Sequence, residues 1–197
     1  MKIILATHNP DKCKELQKAF NSYKIKIYTL LDFPEIKEII EDGKTLEENA
    51  FIKSRTVFNL TKIPTISDDT GLFVDFLKGE PGIFSARYAG DNCSYSDNVN
   101  KLLFNMKDVK DSLRTATFKT VVTYVSQDLE LVAEGSVKGF ITREIKGCKG
   151  FGYDPIFSVS EHNKTFAEMS INEKQQCSHR ARAIKNLQLL FEESNLL

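Results

Sequence analysis

Along this chain, short apolar runs alternate with stretches whose apolar residues recur every three or four positions. Lys2 to Ala6 is a continuous apolar run that predicts a buried strand. It breaks at Thr7-His8-Asn9-Pro10, a turn-and-cap cluster, and Cys13, Leu16, Ala19 and Phe20 then keep helical spacing. Pro10 suits the first turn of that helix. Ile25 to Leu31 predicts a second strand, and Asp32-Phe33-Pro34 a turn. Thr45-Leu46-Glu47-Glu48 has the form of a capping box, opening a helix through about Asn59 with Leu46, Ala50, Val57 and Leu60 as its apolar positions. Ser94 to Met106 predicts another helix, whose stripe of Val99, Leu102, Leu103 and Met106 reads as core. Thr115 to Val125 and Leu129 to Ile141 are strands joined at Ser126-Gln127-Asp128. An amphipathic helix carrying Ile184, Leu187, Leu190 and Phe191 follows Ser178.

At 197 residues the chain is one domain, or two small lobes, and is long enough to bury a core without disulfides. Lys+Arg and Asp+Glu both total 27, so bulk charge argues against a dedicated nucleic-acid binder or an electrostatically held membrane protein. Cys13, Cys93, Cys148 and Cys177 are scattered with no C-x-x-C pair, which fits reduced thiols better than disulfides or a zinc site. The apolar start is too short for a signal peptide, and no apolar run reaches transmembrane length. The expectation is a soluble, cytoplasmic protein.

The candidate chemistry centres on Ser67-Asp68-Asp69-Thr70-Gly71-Leu72, where two adjacent carboxylates sit between apolar flanks. This reads as a strand running into a turn at Gly71. Neighbours on a strand face opposite ways, so Asp68 and Asp69 should do different jobs. Two buried anions this close call for a cation, and Mg²⁺ is the usual one where phosphates are handled. The plain alternative is one turn-capping Asp and one solvated Asp. Lys12 lies in a first helical turn, where the helix dipole disfavours cations, which hints at an anionic partner, although a solvated lysine is the better local reading. Asn49, Lys53 and Thr56 share one helix face, for which a solvated surface is the bland reading.

Two loops add binding chemistry. Gly79 to Gly90 carries Arg87 with Phe84 and Tyr88, and Gly147 to Phe157 combines glycines with Phe151 and Tyr153. The second loop matches neither the dinucleotide fingerprint nor a P-loop, and it offers aromatic faces for a flat ligand or, equally, a hairpin with a buried core. Ser178 and His179 are adjacent, which does not provide hydrolase-triad geometry. Carboxylates including Glu41-Asp42, the basic residues Lys12, Lys53, Lys174 and Arg180, and the glycine-aromatic loop together describe a metal-bound nucleotide site. The residues themselves point to a Mg²⁺-dependent nucleotide phosphohydrolase or transferase, with the base and the bond left open.

Seven blocks in order make the chain resemble the inosine triphosphate pyrophosphatase family. They are Ala6 to Lys12, Thr45 to Ala50, Ser67 to Leu72, Pro81 to Gly90, Gly150 to Phe157, Thr165 to Met169, and Glu173-Lys174 through Arg180. The resemblance implies an elongated α/β fold, a mixed sheet with flanking helices and two lobes around a central nucleotide-binding cleft, usually as a homodimer. It implies Mg²⁺-dependent hydrolysis of non-canonical purine nucleoside triphosphates to monophosphate and pyrophosphate. By position, Thr7, His8, Asn9, Pro10, Asp11 and Lys12 would bind the triphosphate, with Lys53 facing the phosphates. Asp69 would accept a proton and bind metal, Asp68 would support it, and Thr70 would touch substrate. Glu41 would help bind the metal, with Asp42 as the alternative. Phe151, Gly152, Tyr153 and Asp154 would cradle the purine, Lys174 would reach base or phosphate, and His179 and Arg180 would read the 6-keto edge. Donors aimed at a 6-oxygen are left unpaired by adenine, which gives the selectivity a physical basis. Thr70 stands where serine is common in bacterial members, Lys146 where arginine is usual, and Cys177 where an aliphatic residue is typical. The rival readings are a related pyrophosphatase that prefers modified pyrimidines, a non-catalytic nucleotide-binding regulator, and a nucleic-acid binding module, the last disfavoured by zero net charge and the absence of a long basic stripe.

Overall fold

A computed structural model describes residues 1–21, 23 and 25–196. In chain order the elements are β1 (Lys2–Leu5), α1 (Pro10–Phe20), β2 (Lys26–Thr29), α2 (Leu46–Thr61), β3 (Thr65–Val74), β4 (Pro81–Gly82) and α3 (Tyr95–Asn105). Then follow β5 (Thr115–Val125), β6 (Glu130–Ile141), β7 (Phe157–Val159), β8 (Lys164–Thr165), α4 (Ile171–Cys177) and α5 (His179–Glu193). The strands form one mixed sheet in the order β2-β1-β3-β5-β6-β7-β8, with β4 antiparallel on β3. Strand β1 is parallel to both neighbours, pairing Ile3 with Ile27 and Leu5 with Ile66. This is the α/β fold with flanking helices that the resemblance implies.

The chain divides into two compact units, with β3, β5 and β6 contributing to both. The first comprises Met1–Asp69, Thr120–Gly135 and Arg180–Leu197. Its strand β1 explains the continuous apolar run at the start of the chain. Ile3 and Leu5 pack with Leu16 and Phe20 of α1 and Leu187 and Phe191 of α5, whereas Ile4 and Ala6 pack with Val57 of α2. A parallel strand covered on both faces needs apolar residues at every position. The second unit, Thr70–Lys119 and Ser136–His179, has its own core, in which Phe118, Phe157 and Phe166 pack ring on ring.

Element starts follow their caps. Asn9 caps α1, with Oδ1 accepting from the Asp11 and Lys12 amides, and Pro10 is the first helical residue. Thr45 caps α2 by accepting from Glu48 N, but Glu48 reaches back to the Lys44 amide rather than closing the box on Thr45. Three further expectations need correction. Strand β2 ends at Thr29, and Leu30–Asp32 forms a 3-10 turn closed by Asp32 accepting from the Thr29 amide. Leu60 is exposed, because the buried face of α2 is set by Leu46, Ala50, Val57 and Phe58.

The third concerns Gly71, which lies inside β3 and not in a turn. A Cβ there would come within 2.7 Å of the Gly82 carbonyl oxygen and 2.9 Å of the Phe73 ring, so the residue permits close approach of β4. We expect Gly71→Ala to lower stability by about 1–3 kcal/mol through overpacking. The check is the midpoint of urea unfolding, which should fall without a change in slope.

Candidate functional site

In the first unit, Asp68 and Asp69 stand side by side on β3 and meet different cations. The Asp68 carboxylate is fully buried, 3.2 Å from Lys12 Nζ and 3.1 Å from Arg180 Nε. Arg180, also buried, turns its second nitrogen to Glu15 at 2.5 Å. One anion is thus gripped by residues from α1 and α5. Burial alone would raise the Asp68 carboxyl, but Lys12, Arg180 and Lys53 outweigh it and hold the group well below the usual carboxylate range. Lys12 is thus not the solvated lysine of the plainer local reading, and the anionic partner that its place in the helix hints at is Asp68.

Asp69 lies 3.7 Å from Lys53 Nζ, and Glu41 Oε2 lies 2.6 Å from the same ammonium. Burial, then the charges of Glu41 and Asp68, push the Asp69 carboxyl up against the pull of Lys53 and Lys12. The α2 face expected to be solvated is in fact buried at Asn49 and Lys53. Asp42, beside Glu41, is exposed. Behind these groups, Ser67 Oγ donates to the Ala50 carbonyl at 2.5 Å and shares a hydrogen bond with Thr123 at 3.2 Å. Ser54 meets Thr123 at 2.9 Å, so buried hydroxyls tie α2 to β3 and β5. The Thr7 to Lys12 turn is braced by Thr7 Oγ1 accepting from Asn9 N, while His8 and Pro10 are exposed and Asp11 is half-buried.

In the second unit, Asp154 Oδ2 accepts from the Phe151 amide at 2.9 Å and from Lys174 Nζ at 2.6 Å. The same ammonium sits 4.8 Å from the Phe151 ring centroid. Gly152 has φ +60° in the turn between them, and Tyr153 is buried with its hydroxyl donating to the Ser85 carbonyl. His179 stacks on Phe118 at 4.4 Å and 8°. Thr70 is half-buried. The structure therefore gathers Glu41, Lys53 and Asp69 in one cluster, Lys12, Asp68 and Arg180 in another, and Phe151, Asp154 and Lys174 in a third.

Sequence reasoning missed two residues and left the burial of a third undecided. Glu15 completes the Arg180 cluster, but its partner lies 165 positions away and no local pattern marks it. Tyr95 packs its ring 5.9 Å from Phe151. Asn49 was placed on a polar helix face, with nothing local to distinguish burial from exposure.

The profile of the Ham1 family matches residues 3–189. This chain belongs to the Ham1 family. A dITP/XTP pyrophosphatase of Thermoanaerobacter pseudethanolicus is 45% identical over 187 residues, covering 95% of this chain and 94% of that protein. The solved Ham1 protein of Staphylococcus aureus has a TM-score of 0.88 at 37% identity, covering 98% of this chain and 100% of that one. A HAM1 protein from Coxiella burnetii has a TM-score of 0.89 at 37% identity, covering 98% and 99%. The family resemblance carried by the seven sequence blocks is borne out, and every site position described above lies inside the Ham1 match.

The metal that the Ham1 family resemblance implies can be tested against the donors. Among the described residues no group of three or more His, Cys, Asp or Glu is arranged to hold an ion. Glu41 and Asp69 nevertheless offer two hard carboxylates that already converge on a cation, the Lys53 ammonium. Mg²⁺ is commonly held by one or two carboxylates, with water and substrate phosphates completing the shell. The residues fit that ion. No helix among the described residues is long and apolar enough to cross a membrane.

Asp68 supports a prediction that needs no ligand. Asp68→Asn leaves Lys12 and Arg180 with one fewer buried anion and should cost about 3–5 kcal/mol. The folded chain holds the Asp68 proton less tightly than the unfolded chain does. Its contribution is therefore present above the ordinary value of 3.8 and is lost as pH falls through that value towards the lower folded one. Chemical unfolding at a series of pH values should show the difference between wild type and variant narrowing in acid.

Proposed function

We propose that this chain hydrolyses non-canonical purine nucleoside triphosphates (ITP, dITP and XTP) to the monophosphate and pyrophosphate, with Mg²⁺. The observation that carries the reading is the pair of carboxylates, Glu41 and Asp69, converging on Lys53 in a Ham1-family chain. The dITP/XTP pyrophosphatase names of its relatives support the substrate class. Phosphoanhydride hydrolysis asks mainly for positioning and charge neutralisation, plus a group to take the proton of the attacking water.

In this reading Asp69 is the proton acceptor, and its upward-shifted carboxyl is better matched to that task than an ordinary one. The water oxygen bonds to the α-phosphorus, the bond to the bridging oxygen breaks, and pyrophosphate leaves with that oxygen. Bound Mg²⁺ would supply neutralisation of the triphosphate charge, held by Glu41 and Asp69. Lys53 offers positive charge beside those carboxylates, and the capped start of α1 with Lys12 offers a phosphate-binding turn. Asp68 and Arg180 act from behind, by fixing Lys12 and β3. The Phe151 ring and Lys174 suit a flat, carbonyl-rich base. Adenine would bring an amino group where such a site offers a donor. The same resemblance supports a homodimer working in the cytoplasm without nucleic acid, and sedimentation would test the dimer.

Turnover of ITP, XTP, dITP, GTP and ATP, with and without Mg²⁺, tests the reading when pyrophosphate is scored apart from orthophosphate. Pyrophosphate release confined to the first three, and lost with chelator, is expected. Orthophosphate release would mean that another bond is cut and would sink the proposal. Asp69→Asn should lower kcat by about 10²–10⁴-fold while nucleotide binding persists. Near-normal turnover by that variant would remove Asp69 from the mechanism.

A further inference from the structure

Glu41 belongs to a segment without helix or strand, so its aim must come from somewhere else. The residues that follow it dock onto the first turns of α2. The Gly43 amide donates to Asn49 Oδ1 at 2.9 Å, and the Lys44 amide donates to Glu48 Oε2 at 2.6 Å. Asn49 is only 2% exposed. It precedes Lys53 by four residues, so the two side chains share a face of the helix. The docking is tight enough that a Cβ on Gly43 would fall 2.7 Å from Asn49 Oδ1 and 2.8 Å from Glu48 Cβ. Two residues upstream of that contact, Glu41 Oε2 reaches Lys53 Nζ at 2.6 Å.

Two residues of free chain span up to about 7 Å, whereas Mg²⁺ holds its oxygens at roughly 2.0–2.1 Å with little tolerance. A carboxylate on an untethered loop would spend little time within reach of such an ion. We propose that Asn49 is a positioning residue that pins the loop at Gly43 and so aims Glu41 at the site shared with Lys53 and Asp69, setting its affinity for a divalent cation. The inference deepens the pyrophosphatase reading and rests on its assignment of the metal to Glu41 and Asp69. The contact that Asn49 makes is with the Gly43 amide, so it is assigned no place among the metal's ligands and acts through the loop.

The test is Mn²⁺ binding to the substrate-free enzyme, followed by the loss of the free-ion paramagnetic resonance signal, for wild type, Asn49→Ala, Gly43→Ala, Glu41→Gln and the Asn49→Ala/Glu41→Gln double variant. The two loop variants should each weaken binding by about 10–100-fold, the range seen when a partner that orients a ligand is lost. The double variant should bind no worse than Glu41→Gln alone, since both changes remove one interaction. In turnover, the loop variants should need more Mg²⁺ for half-maximal rate but approach the wild-type kcat at saturation. Gly43→Ala attacks the contact from the loop side and carries the test if Asn49→Ala does not fold. Weakened binding in Glu41→Gln with normal binding in both loop variants overturns the inference and leaves the metal reading intact. Additive losses in the double variant also overturn it. Unchanged binding in Glu41→Gln removes the metal assignment, and the inference with it.

Discussion

The Asp68 carboxylate, with no exposed surface, is the constraint around which the first unit is arranged. An ionised group in that position is tolerable only when cations come to it, and breaking such an arrangement costs far more than breaking a surface pair. The cations arrive from two separate helices, Lys12 from α1 and Arg180 from α5. Glu15 then balances the excess positive charge of Arg180. The start of α1 is held against β3 by the Lys12–Asp68 ion pair, so the Thr7 to Lys12 turn takes its position in part from a buried carboxylate of the neighbouring strand. Replacing a buried cluster of this kind by close-packed apolar residues is often neutral or stabilising, whereas removing one partner alone leaves an uncompensated charge.

Asp69, the next residue, has the opposite electrostatic history. It is raised by burial and by two neighbouring carboxylates, against the pull of Lys53 and Lys12. Adjacent aspartates on one strand thereby acquire one strongly ionised and one reluctant carboxyl, a division that follows from strand geometry and from which cations each can reach. Helix α2 carries Lys53 and Asn49 on one face, and buried hydroxyls of Ser54, Ser67 and Thr123 hold the helix to the sheet. The proposed metal and phosphate chemistry depends on this packing as much as on the charged groups.

The second unit uses aromatic packing for a similar purpose. Asp154 ties the Phe151 turn to Lys174 of α4, and the ammonium lies over the Phe151 ring. Tyr153, immediately between, is buried and tied to the loop at Ser85. Of the two readings of this glycine-aromatic segment, core hairpin or ligand face, each describes part of it. Tyr153 is core, and Phe151 is half-buried with a cation above it.

Periodicity and caps determined the elements themselves: the apolar run of β1, the Asn9-Pro10 start of α1, the Thr45 cap of α2 and the long strands β5 and β6 all stand where their residues put them. These are local consequences of side-chain alternation, of amides left over at a helix end, and of proline geometry. The seven blocks also determined the family, because their order along the chain is a property of sequence alone. Tertiary structure decided which charges meet. Whether Lys53 is solvated or buried depends on Glu41 and Asp69, 12 and 16 residues away along the chain, and the engagement of Arg180 depends on Asp68 and Glu15, 112 and 165 residues away. Gly71 shows the same limit, since a glycine between apolar residues suggests a turn until the Gly82 carbonyl is seen against it. Local pattern carries the backbone's preferences, whereas electrostatic partners and close approaches are set by packing between segments remote in sequence.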